Sequence, residues 1–368
     1  MKNKYFIRVV KLIALIIPLA VLIVFGQTHL FYYDDHNTHR IENFYEQEED
    51  SLDVVFIGAS ELINGYFPGK AYEKYGFTSY LYAMDANPGS LYVSQLKEIM
   101  KHQSPQVILV EIYGFLNDED APIYDEARLR VFVENIPFSV NKAQTILEQP
   151  FENKISFFVP FIKYHGDLET AQERISEGFE KPEDVMALFT KTATWTGSGD
   201  QGVPFDPATY ELSEDSRKCL IAFLEYCRNE KMDNIVFLNY PWYIQDENNH
   251  NLLTLVAQVK EIVSDYGYPF VDLQEKMDQI GLDVAADYYD EQHTNVYGQV
   301  KITDYLGSIL VDEYHVVPRE QSPENEKLWG EYVTQTQEWY DVADYLIQIE
   351  KDTYIFESSY WWVCRDEY

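Results

Sequence analysis

Short apolar, β-branched segments recur along this chain, each separated from the next by at least a helix-length stretch. The first is Asp53-Val-Val-Phe-Ile57, closed by Gly58. The others are Ser79 to Ala83, Gln106 to Ile112, Asn234 to Asn239 and Pro269-Phe-Val-Asp272. The clearest of these runs are apolar throughout, without the alternation of a strand that has one wet face, so they predict strands buried on both sides. Helical patterns lie among them at Leu91 to His102, Ser213 to Glu230, Leu252 to Tyr266 and Val300 to Tyr314. Strands alternating with helices predict an α/β fold of three layers, α/β/α, around a parallel sheet. Open sheets of that kind place their sites at the carboxyl ends of the strands, so the residues just after each strand are where chemistry is expected.

Hydrophobic residues make up 46% and charged residues 24% of 368, enough for a buried core. Acidic residues outnumber basic ones 62 to 28, a formal net charge of -34. Such a field repels phosphate backbones, which argues against nucleic acid as a partner. Three cysteines, Cys219, Cys227 and Cys364, are too few for a disulfide scaffold, and no C-x-x-C pair is present to suggest structural zinc.

Lys2, Lys4, Arg8 and Lys11 precede an uninterrupted apolar run from Leu12 to Phe25. Val9, Val10 and the stem of Lys11 extend it towards spanning length. Basic residues on the N-terminal side predict that this end stays in the cytoplasm and the rest lies outside the cell. Phe25 to Leu30 offers no small-x-small cleavage site, which favours an uncleaved anchor over a signal peptide. The domain reading is an anchor over 1–28, an acidic juxtamembrane stalk over 29–50 and an α/β domain over 51–316. Residues 115–205 form a helical insertion read as a cap beside the site, and 317–368 a C-terminal helix and aromatic tail. Asp34, Asp35, His36 and His39 are read as solvated linker, not as a metal cluster.

Two motifs carry chemistry. Gly58-Ala59-Ser60-Glu61 puts a serine on a strand-to-helix turn, with its hydroxyl at the sheet edge and its N–H free to face an oxyanion. Asp290-Glu-Gln-His293 puts a carboxylate and an imidazole on one side of a turn, where the first can set the tautomer of the second. Spacing alone does not single this pair out, because Asp312 and His315 repeat it. Tyr240, Trp242 and Tyr243 follow the fourth strand. In a chain with 30 tyrosines and six tryptophans, they are candidates for contact with sugar rings.

The order of these motifs, serine after the first strand and Asp-x-x-His before the final helix, resembles the GDSL, or SGNH, hydrolase family. The resemblance covers about residues 53 to 113 and 210 to 314. Within it, Ile280-Gly-Leu-Asp283, the run Asp287-Tyr-Tyr-Asp290-x-x-His293-x-Asn295-x-x-Gly298, Tyr164-His165 and Gln103-Ser-Pro-Gln-Val107 resemble a surface-anchored Gram-positive branch. The resemblance implies a flavodoxin-like sheet and a triad of Ser60, His293 and Asp290. It implies oxyanion donors drawn from the Ser60 N–H, Asn87, Gly89 and Asn117, and substrate contacts at His165 and Asn295. Two departures stand out: Gly-Ala-Ser replaces Gly-Asp-Ser, and Gly114-Phe-Leu-Asn117-Asp118 has one residue too many for the family's third block.

The implied activity is serine O-acyl transfer or ester hydrolysis on a cell-surface polysaccharide or teichoic acid. The implied partner is a membrane-bound O-acyltransferase, and neither cofactor nor metal is called for. The rival expectation is a catalytically silent glycan-binding or scaffold subunit of a polysaccharide-modification or export complex.

Overall fold

The computed structural model describes residues 2–32, 36–116, 122–177, 211–243 and 247–353. The chain opens with helix α1 (Lys2–His29) and the short α2 (His36–Phe44). It continues through β1 (Val54–Gly58), α3 (Ser60–Ile63), α4 (Pro68–Tyr75), β2 (Ser79–Ala83), α5 (Tyr92–His102) and β3 (Val107–Glu111). Five helices follow: α6 (Glu126–Glu134), α7 (Val140–Glu148), α8 (Ile155–Phe158), α9 (Phe161–Tyr164) and α10 (Leu168–Glu177). The second half contains α11 (Glu214–Asn229), β4 (Ile235–Asn239), α12 (Glu247–Asp265), β5 (Phe270–Asp272), α13 (Met277–Ile280), α14 (Val284–Asp287), α15 (Val296–Asp312) and α16 (Pro323–Thr353).

The strands form one parallel sheet in the order β2-β1-β3-β4-β5. This is the doubly wound, flavodoxin-like order, with its switch point between β1 and β3. Side chains alternate between two cores. Val55, Ile57, Tyr80, Ile108 and Phe237 join the layer holding Phe44 of α2, Leu96 of α5, Phe223 of α11 and Val259 of α12. Val54, Phe56, Leu81, Leu109 and Leu238 join the opposite layer, with Leu62 of α3, Ala71 of α4 and Leu306 of α15. Burial on both faces explains the near-continuous apolar runs of β1 and β3.

Residues 36–44 do not form an exposed stalk. In α2, Ile41 and Phe44 are fully buried, Phe44 packs on Tyr80 and Tyr82 of β2, and the Tyr80 hydroxyl donates to the Arg40 carbonyl at 2.6 Å. The polar composition misleads because the polar side chains are themselves buried and bonded: Asn37 accepts the Asp85 N–H at 2.8 Å, and Arg40 donates to the Ala83 carbonyl. The described part of the insertion is likewise built onto the body of the fold. Asn141 of α7 donates to the Ser94 carbonyl and to Glu98 of α5, and Leu129 and Phe132 of α6 enter the first core. Helix α16 lies across α4, with Trp329 fully buried against Tyr72. The close approach of α4 to α16 needs Gly69, where a Cβ would lie 2.3 Å from Thr336 Oγ1.

Helix α1 differs from the rest. Its apolar side chains stay exposed, and from Lys4 to His29 it is long and apolar enough to cross a membrane.

Candidate active site

Strand β1 ends at Gly58 and α3 begins at Ser60, beside the switch point of the sheet. Gly58 is required there, because a Cβ would lie 2.7 Å from Glu111 Cβ and 2.8 Å from Leu62 Cδ2. The turn is held from behind by Glu111, the last residue of β3. One of its carboxyl oxygens accepts the Ala59 N–H at 3.0 Å, and the other accepts the Tyr113 N–H. Burial pushes the Glu111 carboxyl up to about 8, and those two N–H donors pull the other way without cancelling it. Ser60 itself is half-buried, and as the first residue of α3 its N–H has no intrahelical partner.

The second half of the site is a tight loop between α14 and α15. An isolated antiparallel bridge pairs Tyr288 with Thr294, and the Tyr289 N–H donates to the His293 carbonyl at 2.9 Å. Inside this loop the Asp290 carboxylate accepts the N–H groups of Gln292 and His293, at 2.9 and 2.8 Å. His293 Nδ1 lies 2.9 Å from each Asp290 oxygen, and Nε2 lies 2.8 Å from Ser60 Oγ. A carboxylate only accepts, so Nδ1 carries the proton and Nε2 is left to accept the Ser60 hydroxyl. Ser60 Oγ also lies 3.5 Å from Oε2 of Glu61, a buried carboxyl on the same turn.

Ser60 and His293 are brought together by side chains that tie the loop to α3. Thr294 Oγ1 donates to the Asn64 carbonyl at 2.7 Å, and Asn64 Nδ2 donates to the Ser60 carbonyl at 2.7 Å. Gln299 Nε2 reaches the carbonyls of Ile63 and Tyr66 at 3.0 and 3.2 Å. None of these residues carries a sequence signal of its own. Glu111 does: a glutamate ending an otherwise apolar strand is an anomaly that a closer reading of the sequence would single out.

Several expected site residues have other employment. Both amide protons of Asn87 are taken, by the Gly58 carbonyl at 2.9 Å and Gln95 Oε1 at 3.1 Å, so its side chain is committed to the fold and does not face an oxyanion. Gly89 opens a short 3-10 turn where a Cβ would meet Phe115 and the Gly114 carbonyl, so close packing explains it. Asn117 lies outside the described residues, as do Asp34, Asp35, residues 178–210 and the tail from 354 onwards.

Asn295 is fully buried and caps α15, accepting the N–H groups of Tyr297 and Gly298 while donating to the Ala286 carbonyl. It is a cap and not a substrate ligand. Tyr240 is also a core residue: it packs against Gly65, and burial first, then the charge of Glu111, holds its phenol far above the ordinary value. Trp242 is buried against Tyr113 at a ring separation of 5.7 Å. Tyr243 is half-buried, and its N–H donates to the Glu291 carbonyl at 2.8 Å, bracing the Asp290–His293 loop from the β4 side. His165 is exposed at the end of α9, with Nδ1 close to the Phe161 and Ile162 carbonyls.

No protein-family model and no curated protein sequence matches the chain. Among solved structures, it is similar to a lipase/acylhydrolase from Enterococcus faecalis, at 10% identity, over 73% of this chain and 100% of that one, with a TM-score of 0.34. It is also similar to a Bacteroides fragilis protein named as an acylhydrolase, at 11% identity over 77% and 100% of the two chains, with a TM-score of 0.37. A third is a Parabacteroides merdae protein named as a GDSL-like lipase, at 12% identity over 74% and 99%, with a TM-score of 0.32. Likenesses this distant leave function to be argued from the geometry of the chain itself.

Proposed function

We propose that the protein is a serine acyl-transfer enzyme of the SGNH type, an esterase or O-acyltransferase, held outside the cell by α1 and acting on a cell-surface glycan. The observation that carries the reading is the unbroken path from Asp290 through His293 to the Ser60 hydroxyl, assembled at the carboxyl edge of a doubly wound sheet.

In this mechanism Ser60 Oγ attacks the carbonyl carbon of an acyl ester while His293 Nε2 takes its proton. The tetrahedral oxyanion is met by the Ser60 N–H at the first turn of α3. On collapse the ester C–O bond breaks, and the leaving oxygen departs with the proton from His293, leaving acyl-Ser60. The second half runs in reverse order. His293 deprotonates an acceptor hydroxyl, which attacks the acyl carbon and frees Ser60. Asp290 holds Nδ1–H throughout and stabilises the imidazolium. Water as acceptor gives hydrolysis, and a sugar hydroxyl gives acyl transfer. A multi-spanning membrane acyltransferase would deliver the acyl group on the outer side.

The test is covalent labelling of the full chain with a serine-reactive phosphonate, comparing wild type, Ser60→Ala and His293→Ala. An adduct on Ser60 that needs His293 supports the proposal. A folded protein that takes no label favours a silent scaffold or glycan-binding subunit.

A further inference from the structure

Helices α8 to α10 carry large apolar side chains that the fold leaves in the open. Ile155 is 67% exposed, Ile162 43%, Leu168 69% and Ile175 59%. Leu168 and Ile175 are seven apart and so lie on one stripe of α10. Helices α9 and α10 meet the chain around the end of α1. A Cβ on Gly26 would lie 3.2 Å from the Phe161 ring of α9, and that ring packs edge-on against Phe31 at 5.6 Å. The Arg174 guanidinium of α10 lies over the Tyr32 ring, 3.4 Å from its centroid. Both helices therefore touch the chain where the apolar run of α1 gives out, after Phe25.

If α1 spans, residues 26–32 sit at the outer interface. Phe31, Tyr32, Phe161 and Arg174 have the amphipathic character of that zone. From this juxtaposition we propose that the exposed side of α9 and α10, with Ile162, Leu168 and Ile175, is a membrane-contact surface, seated in the outer leaflet beside α1. The catalytic domain then docks on the bilayer instead of swinging from a tether. This rests on the reading of α1 as a membrane span. The occupant is lipid, taken up by its apolar character. Over residues 155–177, Lys163 and Arg174 are outnumbered by Asp167, Glu169, Glu173 and Glu177, so attraction to anionic headgroups does not drive the contact. Contact in this zone would bring an acyl donor handed over at the membrane within reach of the domain, without a long excursion.

The test uses the full chain in phosphatidylcholine nanodiscs, with Cys219→Ser, Cys227→Ala and Cys364→Ser as background. An environment-sensitive fluorophore is placed in turn at Ile162→Cys, Leu168→Cys and Ile175→Cys. Leu15→Cys serves as the lipid-facing reference in α1, and Val317→Cys, 66% exposed beside Gln106 just before β3, as the aqueous one. The proposal expects lipid-borne nitroxide to quench all three probes. Iodide should quench them severalfold less than at position 317, with no dependence on salt. Iodide quenching equal to that at 317, with position 15 still quenched by lipid, would overturn the surface while leaving the anchor intact. Shielding from both quenchers would mean that protein covers the face, which also overturns it. If position 15 does not respond to lipid, the anchor reading fails and the proposal falls with it.

Discussion

Thr294 Oγ1 donates to the backbone carbonyl of Asn64 across 230 positions of sequence, at 2.7 Å. This bond stitches the loop that bears His293 to the helix that bears Ser60, and Gln299 doubles it one turn later. Thr294→Val preserves shape but leaves a buried carbonyl unpaired. Such a loss costs about 1–3 kcal/mol. Gln299→Leu exposes two carbonyls in the same way and is expected to cost more. Urea unfolding gives the stability change. Turnover of an activated ester at a temperature where both variants are folded should fall as well, because the 2.8 Å contact between Ser60 and His293 is loosened.

Ser60→Ala and His293→Ala should each abolish turnover of an activated ester, and the double variant should be no worse than either. Residues that act as one unit are strongly non-additive. Asp290→Asn keeps the turn but removes the charge that sets the Nδ1–H tautomer, with an expected loss of about 10⁴-fold in kcat. Steady-state kinetics on matched, folded samples decides it: a double variant that loses the product of the single effects would contradict the shared path.

Glu111 predicts an unusual pH slope. Its carboxyl titrates at about 8 in the fold against 4.5 ordinarily, burial being the cause. Between those values the native state keeps a proton that the unfolded chain releases, so stability falls as pH rises across the window. The contribution is fully present below pH 4.5 and lost through pH 8. Glu111→Gln should lower stability at pH 5, because an amide nitrogen then opposes one of two backbone N–H donors. It should also flatten the decline towards pH 8. Urea midpoints at three pH values check both.

Asp85 predicts the opposite behaviour at low pH. Burial alone would raise its carboxyl, but the 2.6 Å contact with His36 and the charges of His36, Arg40 and Arg128 outweigh it and hold it well below the usual range. Its stabilising contribution is present above 3.8, the ordinary value, and is lost as pH falls through the lower folded value. Asp85→Asn should therefore weaken the docking of α2 at neutral pH and remove part of the acid sensitivity, read from thermal unfolding at pH 3 and pH 7.

Trp329 anchors α16 on α4. Trp329→Ala should cost about 3–5 kcal/mol, as deletions of large buried side chains do. The same substitution should leave phosphonate labelling of Ser60 intact in samples that remain folded, because α16 makes no direct contact with Ser60 or His293 among the described residues.

The five strands and the limits of α5 and α11 were legible in the residues, because an apolar run or a 3.6-residue period is a signal within one short segment. Helices α12 and α15 begin four to five residues earlier than expected, and α4 and α6 were not singled out. Gly58-Ala-Ser60 and Asp290-x-x-His293 were legible for the same reason: strand ends and tight turns are local. The aromatic residues after β4 were not. Tyr240 and Trp242 look alike whether they line a mouth or fill a core, and only the packing of Gly65 and Tyr113 against them settles which. Asn295 reads as a polar candidate ligand until the start of α15 claims it as a cap.

The stretch 36–44 shows the same limit, since its polar side chains read as solvated until partners at Ala83, the end of β2, and at Asp85 just after it bury and pair them. The order of strands lies beyond any local pattern. It depends on pairings between residues tens to more than a hundred positions apart, and with it comes the meeting of Ser60 and His293 beside the switch point. Local periodicity thus specifies the parts and the chemistry they can carry. Long-range burial and hydrogen bonding, summed over the whole chain, specify which parts meet.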